Sequence, residues 1–163
     1  MSRRRRLVAG AFVAVLLSAH GVAAQQPAAL ASLDDLRPLA AQIRAHSAPL
    51  LVLFSTPGCP FCREVRQNYL VPRVAEQQAS KAPDLLLREV DITASTPLVG
   101  SDGRLTTHAE FAARFNVRVV PVVMLFDDRL QALAEPLVGI DRAGFYEGYL
   151  ARAIEQAQQR LRR

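Results

Sequence analysis

Residues Leu50 to Arg63, LLVLFSTPGCPFCR, join an apolar run to the two cysteines of the chain. The run from Leu50 to Phe54 has a proline on either side, a pattern typical of a strand buried on both faces. From Pro60 onward the apolar residues recur with helical spacing. The stretch therefore predicts a strand-to-helix junction, with Cys59 and Cys62 at the first turn of the helix.

The spacing of the two cysteines suits thiol chemistry. At a helix N-terminus, unpaired backbone N–H groups and the helix dipole stabilise a thiolate, so we expect Cys59 to be the attacking nucleophile. Cys62 follows three residues later on a more buried turn and is suited to resolve a mixed disulfide. Pro60 fits between them because the first helical turn does not need its N–H group.

Two other uses of the cysteine pair are less favoured. A zinc site needs about four ligands, and the remaining candidates of the mature chain, His46 and His108, stand at no recognisable spacing. A permanent structural disulfide across so small a loop removes little entropy from the unfolded chain. We therefore expect a redox centre without metal or cofactor, and keep a metal-binding or thiol-dependent binding module as an alternative.

The N-terminal 24 residues predict a secretory signal peptide. They contain a positive segment, Arg3 to Arg6, an apolar segment, Leu7 to Leu17, and a small-residue end, Val22 to Ala24. We expect cleavage after Ala24 and export to the periplasm, by the general or the twin-arginine route. The remaining chain divides into a lead at residues 25–32 and one domain at residues 33–163.

The net charge gives no support for a nucleic-acid partner. The formal charge is +5, and four of the arginines lie in the predicted signal peptide. Without them, 16 Lys and Arg stand against 15 Asp and Glu. The mature chain is thus close to neutral, and a protein that binds nucleic acid through its charge is excluded. Half of the residues are hydrophobic, enough to form a core without structural disulfides.

The remaining pattern predicts an α/β fold in which helices alternate with strands. A capping box at residues 32–35 indicates a helix from Leu33 to Ala45. The later elements are expected as a strand at 85–92, a loop at 93–104, a helix from 106 or 107 to 116, strands at 117–126 and 130–138, and a helix at 141–161. A short turn at 127–128 predicts that the last two strands form an antiparallel hairpin.

Three motifs together resemble the thioredoxin superfamily. They are the Cys59-Pro60-Phe61-Cys62 motif after an apolar strand, the Val119 to Val122 segment VVPV, and Gly139 before the last helix. The segments TPGCPFCREVRQNYL, REVDIT and FAARFNVRVVPVVMLFD are similar to exported bacterial thioredoxin-related proteins of the SoxW type. The resemblance covers roughly residues 33–160, and it implies a thioredoxin fold with a mixed sheet of about four strands flanked by helices.

The resemblance also implies roles for individual residues. Cys59 corresponds to the nucleophile and Cys62 to the resolving thiol, so the redox-active bond is the Cys59–Cys62 disulfide. Pro121 matches the cis-proline of the family, which makes Val120 a substrate-contacting residue. Pro60 and Phe61, between the cysteines, are assigned to the same substrate surface. The implied partners are protein disulfide substrates and a membrane thiol-reducing system as electron donor, and we expect a monomer.

The chain departs from typical thioredoxins around the cysteines. Those proteins have a buried aspartate six residues before the first cysteine and a tryptophan directly before it, where this chain has Leu53 and Gly58. Glu89, which aligns with a buried lysine on the neighbouring strand, is a substitute proton acceptor for Cys62. The alternative, that Glu89 points into solvent, stays open.

Redox direction depends on how strongly the thiolate is stabilised. Strong oxidases of the DsbA kind carry a histidine beside the second cysteine, and Phe61 offers no such donor. We therefore expect a reductase, with an oxidase or isomerase as the alternative. We further expect His46 and His108 at the surface, and the aromatic rings of Phe111, Phe115, Phe126 and Phe145 in the core.

Overall fold

The computed structural model describes residues 29–163 of the chain. The strands are β1 (Ala31–Ser32), β2 (Leu50–Ser55), β3 (Leu86–Asp91), β4 (Pro97–Val99), β5 (Leu105–Thr107), β6 (Val122–Phe126) and β7 (Leu137–Val138). The helices are α1 (Leu36–His46), α2 (Pro60–Val65), α3 (Val71–Ala79), α4 (His108–Arg114) and α5 (Tyr146–Leu161), and a π-helical turn, Arg66–Leu70, joins α2 to α3.

Strand β2 lies at the centre of a five-stranded mixed sheet with the order β1-β3-β2-β6-β7. It is parallel to β3 and antiparallel to β6, and all six of its residues are buried. Leu53 lies opposite Glu89 on one side and Val123 on the other. The expected α/β architecture is thus present, with five strands where about four were expected, because two-residue strands pair at both edges.

Helices cover both faces of this sheet. On one face, apolar side chains of α1 and α4 pack on Val52 and Phe54. On the other face, residues of α2, the π-turn, α3 and α5 pack on Leu51 and Leu53. Because consecutive strand residues point to opposite faces, the apolar run of β2 supplies both cores at once. The central strand therefore holds the segment that follows it, which contains both cysteines, at a fixed place.

The first helix begins later than the sequence indicated. Helix α1 starts at Leu36, and its cap is Asp35, whose carboxylate accepts a hydrogen bond from the Arg37 amide at 2.8 Å. The expected start at Leu33 is wrong because its amide donates to the Glu89 carbonyl at 3.0 Å and extends the β1 pairing. Strand β1 itself begins at Ala31, within the segment assigned to the lead.

The second half of the chain contains less strand than expected. Residues 117–121 are not in a strand, and of 130–138 only β7 is. The antiparallel relation of the last two strands is correct, but a long loop joins them rather than a two-residue turn. Asp141 accepts hydrogen bonds from the amides of Ala143 and Phe145 and so fixes the loop before α5, which starts five residues later than expected. The predicted loop at 93–104 contains β4, which pairs with β5.

The burial of two side chains is the opposite of what the sequence predicts. Phe145 is exposed, because it precedes α5 rather than lying on its buried face. His108 is buried at the start of α4, between β1 and β3. Within residues 29–163, no helix is long and apolar enough to cross a membrane. The predicted signal peptide at 1–24 and its cleavage site after Ala24 lie outside the described residues.

Candidate functional site

The two cysteines form a disulfide at the junction of β2 and α2. The S–S distance is 2.14 Å and the Cα atoms are 5.3 Å apart. Cys59 is the N-cap residue of α2, and its Sγ accepts a hydrogen bond from the Cys62 amide at 3.0 Å. Pro60 occupies the first helical position, as the sequence predicts. The first turn of the helix thus directs a backbone N–H group at the sulfur of Cys59.

The two sulfur-bearing residues differ in access to solvent. Cys62 is fully buried, whereas Cys59 is partly exposed. Gly58, in the turn before Cys59, has φ +75°, a conformation that residues with a Cβ atom rarely adopt. The Cys59 amide donates to the Thr56 carbonyl at 3.4 Å and closes this turn. An incoming disulfide can therefore reach Cys59 but not Cys62, which is the asymmetry required of a nucleophile and a resolving thiol.

Four apolar residues lie next to Cys59 in the chain or at the same end of the sheet. Phe61 is 44% exposed and Pro60 is also exposed. Val122 of β6 lies opposite Phe54 near the end of β2. Pro121 directly precedes Val122 and therefore lies at the same end of the sheet as the segment that follows β2. The Val120–Pro121 peptide bond is cis, and the Pro121 carbonyl accepts a hydrogen bond from the Gly139 amide at 2.8 Å. Pro121 is buried and Val120 partly so.

Glu89 lies in a network of polar side chains and does not extend into solvent. Ser55, the last residue of β2, donates its hydroxyl to Oε1 of Glu89 at 2.5 Å. Arg66, the first residue of the π-turn, donates from Nε to Oε2 at 2.8 Å and from Nη2 to Oε1. The hydrogen bond to Glu89 raises the pKa of the Arg66 guanidinium, against the opposing effect of burial.

Sequence reasoning missed both partners of Glu89. A local signal for Arg66 exists, since it follows Cys62 by four residues and must lie on the same helix face. Its partner could not be read from the chain, because Arg66 and Glu89 are 23 residues apart in sequence.

The polar network borders a pocket of about 290 Å³ next to the turn that carries Cys59. The last residues of the three parallel strands, β1, β2 and β3, all line it. Its wall consists of Ser32, Ser55, Thr56, Pro57, Arg66, Glu89, Asp91, Thr96 and His108. In α/β folds, ligands commonly bind at the carboxyl ends of the parallel strands.

The buried ring of His108 closes one side of this pocket. Its Nδ1 accepts a hydrogen bond from the Asp91 amide at 3.2 Å, and its Nε2 lies 2.9 Å from the Leu33 carbonyl, to which it donates in the tautomer with hydrogen on Nε2. Both ring nitrogens are therefore used in joining α4 to the sheet. Within residues 29–163, no group of three or more His, Cys, Asp or Glu side chains is arranged to hold a metal.

A family model described as a thioredoxin-like domain matches residues 38–143. Among solved structures, thioredoxin f from spinach chloroplast aligns with a TM-score of 0.52 and 15% identity, over 80% of this chain and 95% of that one. Mitochondrial thioredoxin 3 from Saccharomyces cerevisiae, in its oxidized form, aligns with a TM-score of 0.50 and 17% identity, over 77% of this chain and 93% of that one.

At these identities the two structures indicate the fold alone. No curated protein sequence matches the chain. The fold, together with the Cys59–Cys62 pair at the strand-to-helix junction, supports a thiol-disulfide oxidoreductase in general. By the match of the family model over residues 38–143, this chain belongs to the thioredoxin-like domain family.

Proposed function

We propose that the protein is an exported thiol-disulfide oxidoreductase that reduces disulfides in other proteins. The supporting observation is the asymmetry of the cysteine pair, in which Cys59 is accessible and receives a backbone hydrogen bond while Cys62 is buried. The Cys59 thiolate attacks a client disulfide, forms a mixed disulfide with one client sulfur and releases the other client sulfur as a thiolate. The Cys62 thiolate then attacks the Cys59 sulfur, closes the Cys59–Cys62 bond and releases the client sulfur that was bound to Cys59 as a thiolate.

The direction of the reaction follows from what stabilises the Cys59 thiolate. Among the described residues its Sγ accepts one hydrogen bond, from the Cys62 amide. Phe61 adds no donor, so the reduced form lacks the additional stabilisation that makes a dithiol strongly oxidising. We therefore favour the reduction of client disulfides. In this proposal the chain is a periplasmic, SoxW-like protein that receives electrons from a membrane thiol-reducing system.

We assign an extended client segment to the surface next to Cys59. Pro60 and Phe61 are exposed beside Cys59 in the chain, and the partly buried Val120 and the buried Pro121 lie at the end of the sheet where β2 leads to Cys59. The client backbone pairs next to Val120, while the Phe61 ring contacts a client side chain. Glu89, which lines the pocket beside the turn that carries Cys59, is the proton acceptor that this proposal assigns to Cys62.

Catalysed reduction of insulin disulfides by dithiothreitol tests this proposal. We expect wild-type protein to accelerate the reaction, and both Cys59→Ser and Cys62→Ser to abolish the acceleration. Normal circular dichroism spectra of the two variants would show that the loss is chemical. If the wild-type protein left the uncatalysed rate unchanged, the alternative of a binding module without turnover would replace the proposal.

A further inference from the structure

The side chains of Arg66 and Asp91, which both line the pocket beside the cysteine turn, keep polar atoms available for a ligand. Arg66 donates from Nε and Nη2 to Glu89, and its Nη1 donates to no residue among 29–163. Asp91 accepts the amide and hydroxyl of Thr93 at Oδ1, and its Oδ2 accepts from no residue in the same range. Within that range the two side chains also form no ion pair with each other. The pocket thus offers an available donor and an available acceptor of opposite charge.

The other titratable groups in the pocket wall are already engaged. Both oxygens of Glu89 accept hydrogen bonds from Arg66, and Oε1 also accepts one from Ser55. The two ring nitrogens of His108 are used in contacts with backbone groups. Among the residues that line the pocket, the charges left to bind a ligand are therefore those of Arg66 and Asp91.

The pocket lies beside the accessible cysteine. Thr56 and Pro57, in its wall, belong to the turn that leads to Cys59. The Cys59 amide donates to the carbonyl of Thr56, three residues earlier. This is the hydrogen bond of a β-turn, in which the α-carbons of the first and last residues lie within about 7 Å of each other. A ligand group held against Thr56 therefore needs only a short linker to reach Cys59.

The size and the charges of the pocket fit an α-amino acid group. Its volume of about 290 Å³ is near the lower end of small-ligand sites, which are about 300–1,000 Å³. A ligand carboxylate accepts charge-assisted hydrogen bonds from a guanidinium, and a ligand ammonium group donates them to a carboxylate. An α-amino acid carries both groups on one carbon atom. In cystine a single methylene group separates that carbon from the disulfide sulfur, so the same molecule also supplies a bond for Cys59 to attack.

We propose that this pocket binds the α-amino acid group of a small disulfide, with cystine as the simplest member of the class, and presents the disulfide sulfur to Cys59. The ligand carboxylate binds Arg66, and the ligand ammonium group binds Asp91. This inference rests on the proposed function and adds a low-molecular-weight substrate to the protein disulfides.

The reaction transfers two electrons from the protein dithiol to cystine. The Cys59 thiolate attacks one cystine sulfur, the cystine S–S bond breaks, and one cysteine leaves as a thiolate with the electron pair. The Cys62 thiolate then attacks the Cys59 sulfur, closes the Cys59–Cys62 bond and releases the second cysteine as a thiolate. The two protein thiols lose their protons to water, and the two cysteine products take up protons from it.

Three disulfides that differ in the two ligand charges test the proposal. Cystine has both groups, cystamine has the ammonium groups alone, and dithiodipropionate has the carboxylates alone. Acid quenching, alkylation and mass spectrometry follow the oxidation of the reduced protein by each of them. Each rate is divided by the rate of free dithiothreitol with the same disulfide, which corrects for intrinsic reactivity. We expect the corrected rate for cystine to exceed each of the other two by about fivefold.

Two variants separate the roles of the two charges. Arg66→Gln should lower the corrected rates for cystine and dithiodipropionate about fivefold and leave that for cystamine unchanged. Asp91→Asn should lower the rates for cystine and cystamine and leave that for dithiodipropionate unchanged. Arg63→Gln and Glu64→Gln remove exposed charges from α2 outside the pocket, and both should keep the wild-type preference. Comparing disulfides within one variant cancels any general loss of exchange activity, and the wild-type preference does not depend on a variant that folds.

The outcomes separate the two proposals. Glutathione disulfide is a second source of the same group, and a faster rate with it than with cystine would support the inference and identify the γ-glutamyl end as the group bound. If neither compound reacted faster than cystamine and dithiodipropionate while insulin reduction was still catalysed, this inference would fail and the proposed function would stand. A preference that neither Arg66→Gln nor Asp91→Asn changes would also overturn it, since the amino acid group would bind elsewhere. No oxidation by any of the disulfides, together with no catalysis of insulin reduction, would overturn both proposals.

Discussion

The backbone amide of Cys62 lies 3.0 Å from the Sγ atom of Cys59. The residue that resolves the mixed disulfide in the proposed mechanism therefore also supplies a hydrogen bond to the sulfur that begins it. Both functions follow from the spacing of two cysteines across one helical turn. The reduced protein should keep this contact, because it depends on the helix backbone and not on the S–S bond.

The reduction potential of the Cys59–Cys62 disulfide should be lower than that of strong oxidases. A thiolate with one backbone donor and no side-chain donor is less stabilised than that of a strong oxidase, for which potentials are about −120 mV. We predict a value below about −180 mV. Equilibration with defined ratios of reduced and oxidised glutathione, followed by separation of the two protein forms, measures it. A value close to that of the strong oxidases would favour an oxidase.

The Phe61 ring should contribute to client binding and little to stability. It is 44% exposed, so Phe61→Ala removes few core contacts. We expect kcat/KM for a protein disulfide to fall roughly fivefold, equivalent to about 1 kcal/mol, mainly through KM. Turnover of a small disulfide should be less affected. Leu105→Ala, which truncates the exposed leucine of β5, is the matched control, and an equal loss in both variants would argue against a specific contact.

The buried hydroxyl of Tyr146 should limit stability at high pH. Its oxygen has no hydrogen-bond partner among residues 29–163, and burial raises the pKa of Tyr146 above its ordinary value. In the unfolded chain the phenol ionises near its usual pKa of about 10. The unfolded state therefore loses a proton first, so this stability is present below about pH 10 and is lost as the pH rises above it.

Urea unfolding of Tyr146→Phe tests this prediction. Removing a buried hydroxyl without a partner should leave stability unchanged or raise it by about 1 kcal/mol at neutral pH. The variant should also lose less stability than wild type when the pH rises to about 11. Tyr149→Phe, at an exposed position, should behave like wild type. A clear loss of stability in Tyr146→Phe at neutral pH would mean that the hydroxyl has a partner.

His108 should be a structural residue. Its ring joins the Asp91 amide to the Leu33 carbonyl, and His108→Ala leaves both backbone groups without that partner. We expect a loss of about 2 kcal/mol in the free energy of unfolding. His46→Ala, at an exposed position, should cost little. If His108→Ala unfolded at the same urea concentration as wild type, the two hydrogen bonds would contribute nothing to stability.

The junction of β2 and α2 could be predicted because its signals are local. An apolar run, flanking prolines and a change to helical spacing all lie within about 15 residues of Cys59. Features set by contacts between distant segments could not be predicted in this way. The burial of His108 depends on backbone groups from Leu33 and Asp91, and the ion pair of Arg66 depends on a partner in another element.

Local secondary-structure propensity also gave a wrong prediction for two segments. The valine-rich segment at 117–120 favours a strand, yet pairing with β2 begins only at Val122, after Pro121. Residues 32–35 form a capping box in sequence, but hydrogen bonding of Leu33 to β3 keeps the chain extended there. In both cases the pairing of the sheet overrides the preference of the segment.

The most direct test of the central claim is to trap the mixed disulfide with Cys62→Ser. Incubation of the reduced variant with a disulfide-containing protein should give a stable covalent complex. Peptide mapping should place the bond at Cys59, and dithiothreitol should reverse it. Cys59→Ser should give no such complex. Trapping through Cys62 in Cys59→Ser, or failure of Cys62→Ser to trap any client, would contradict the assignment of Cys59 as the nucleophile.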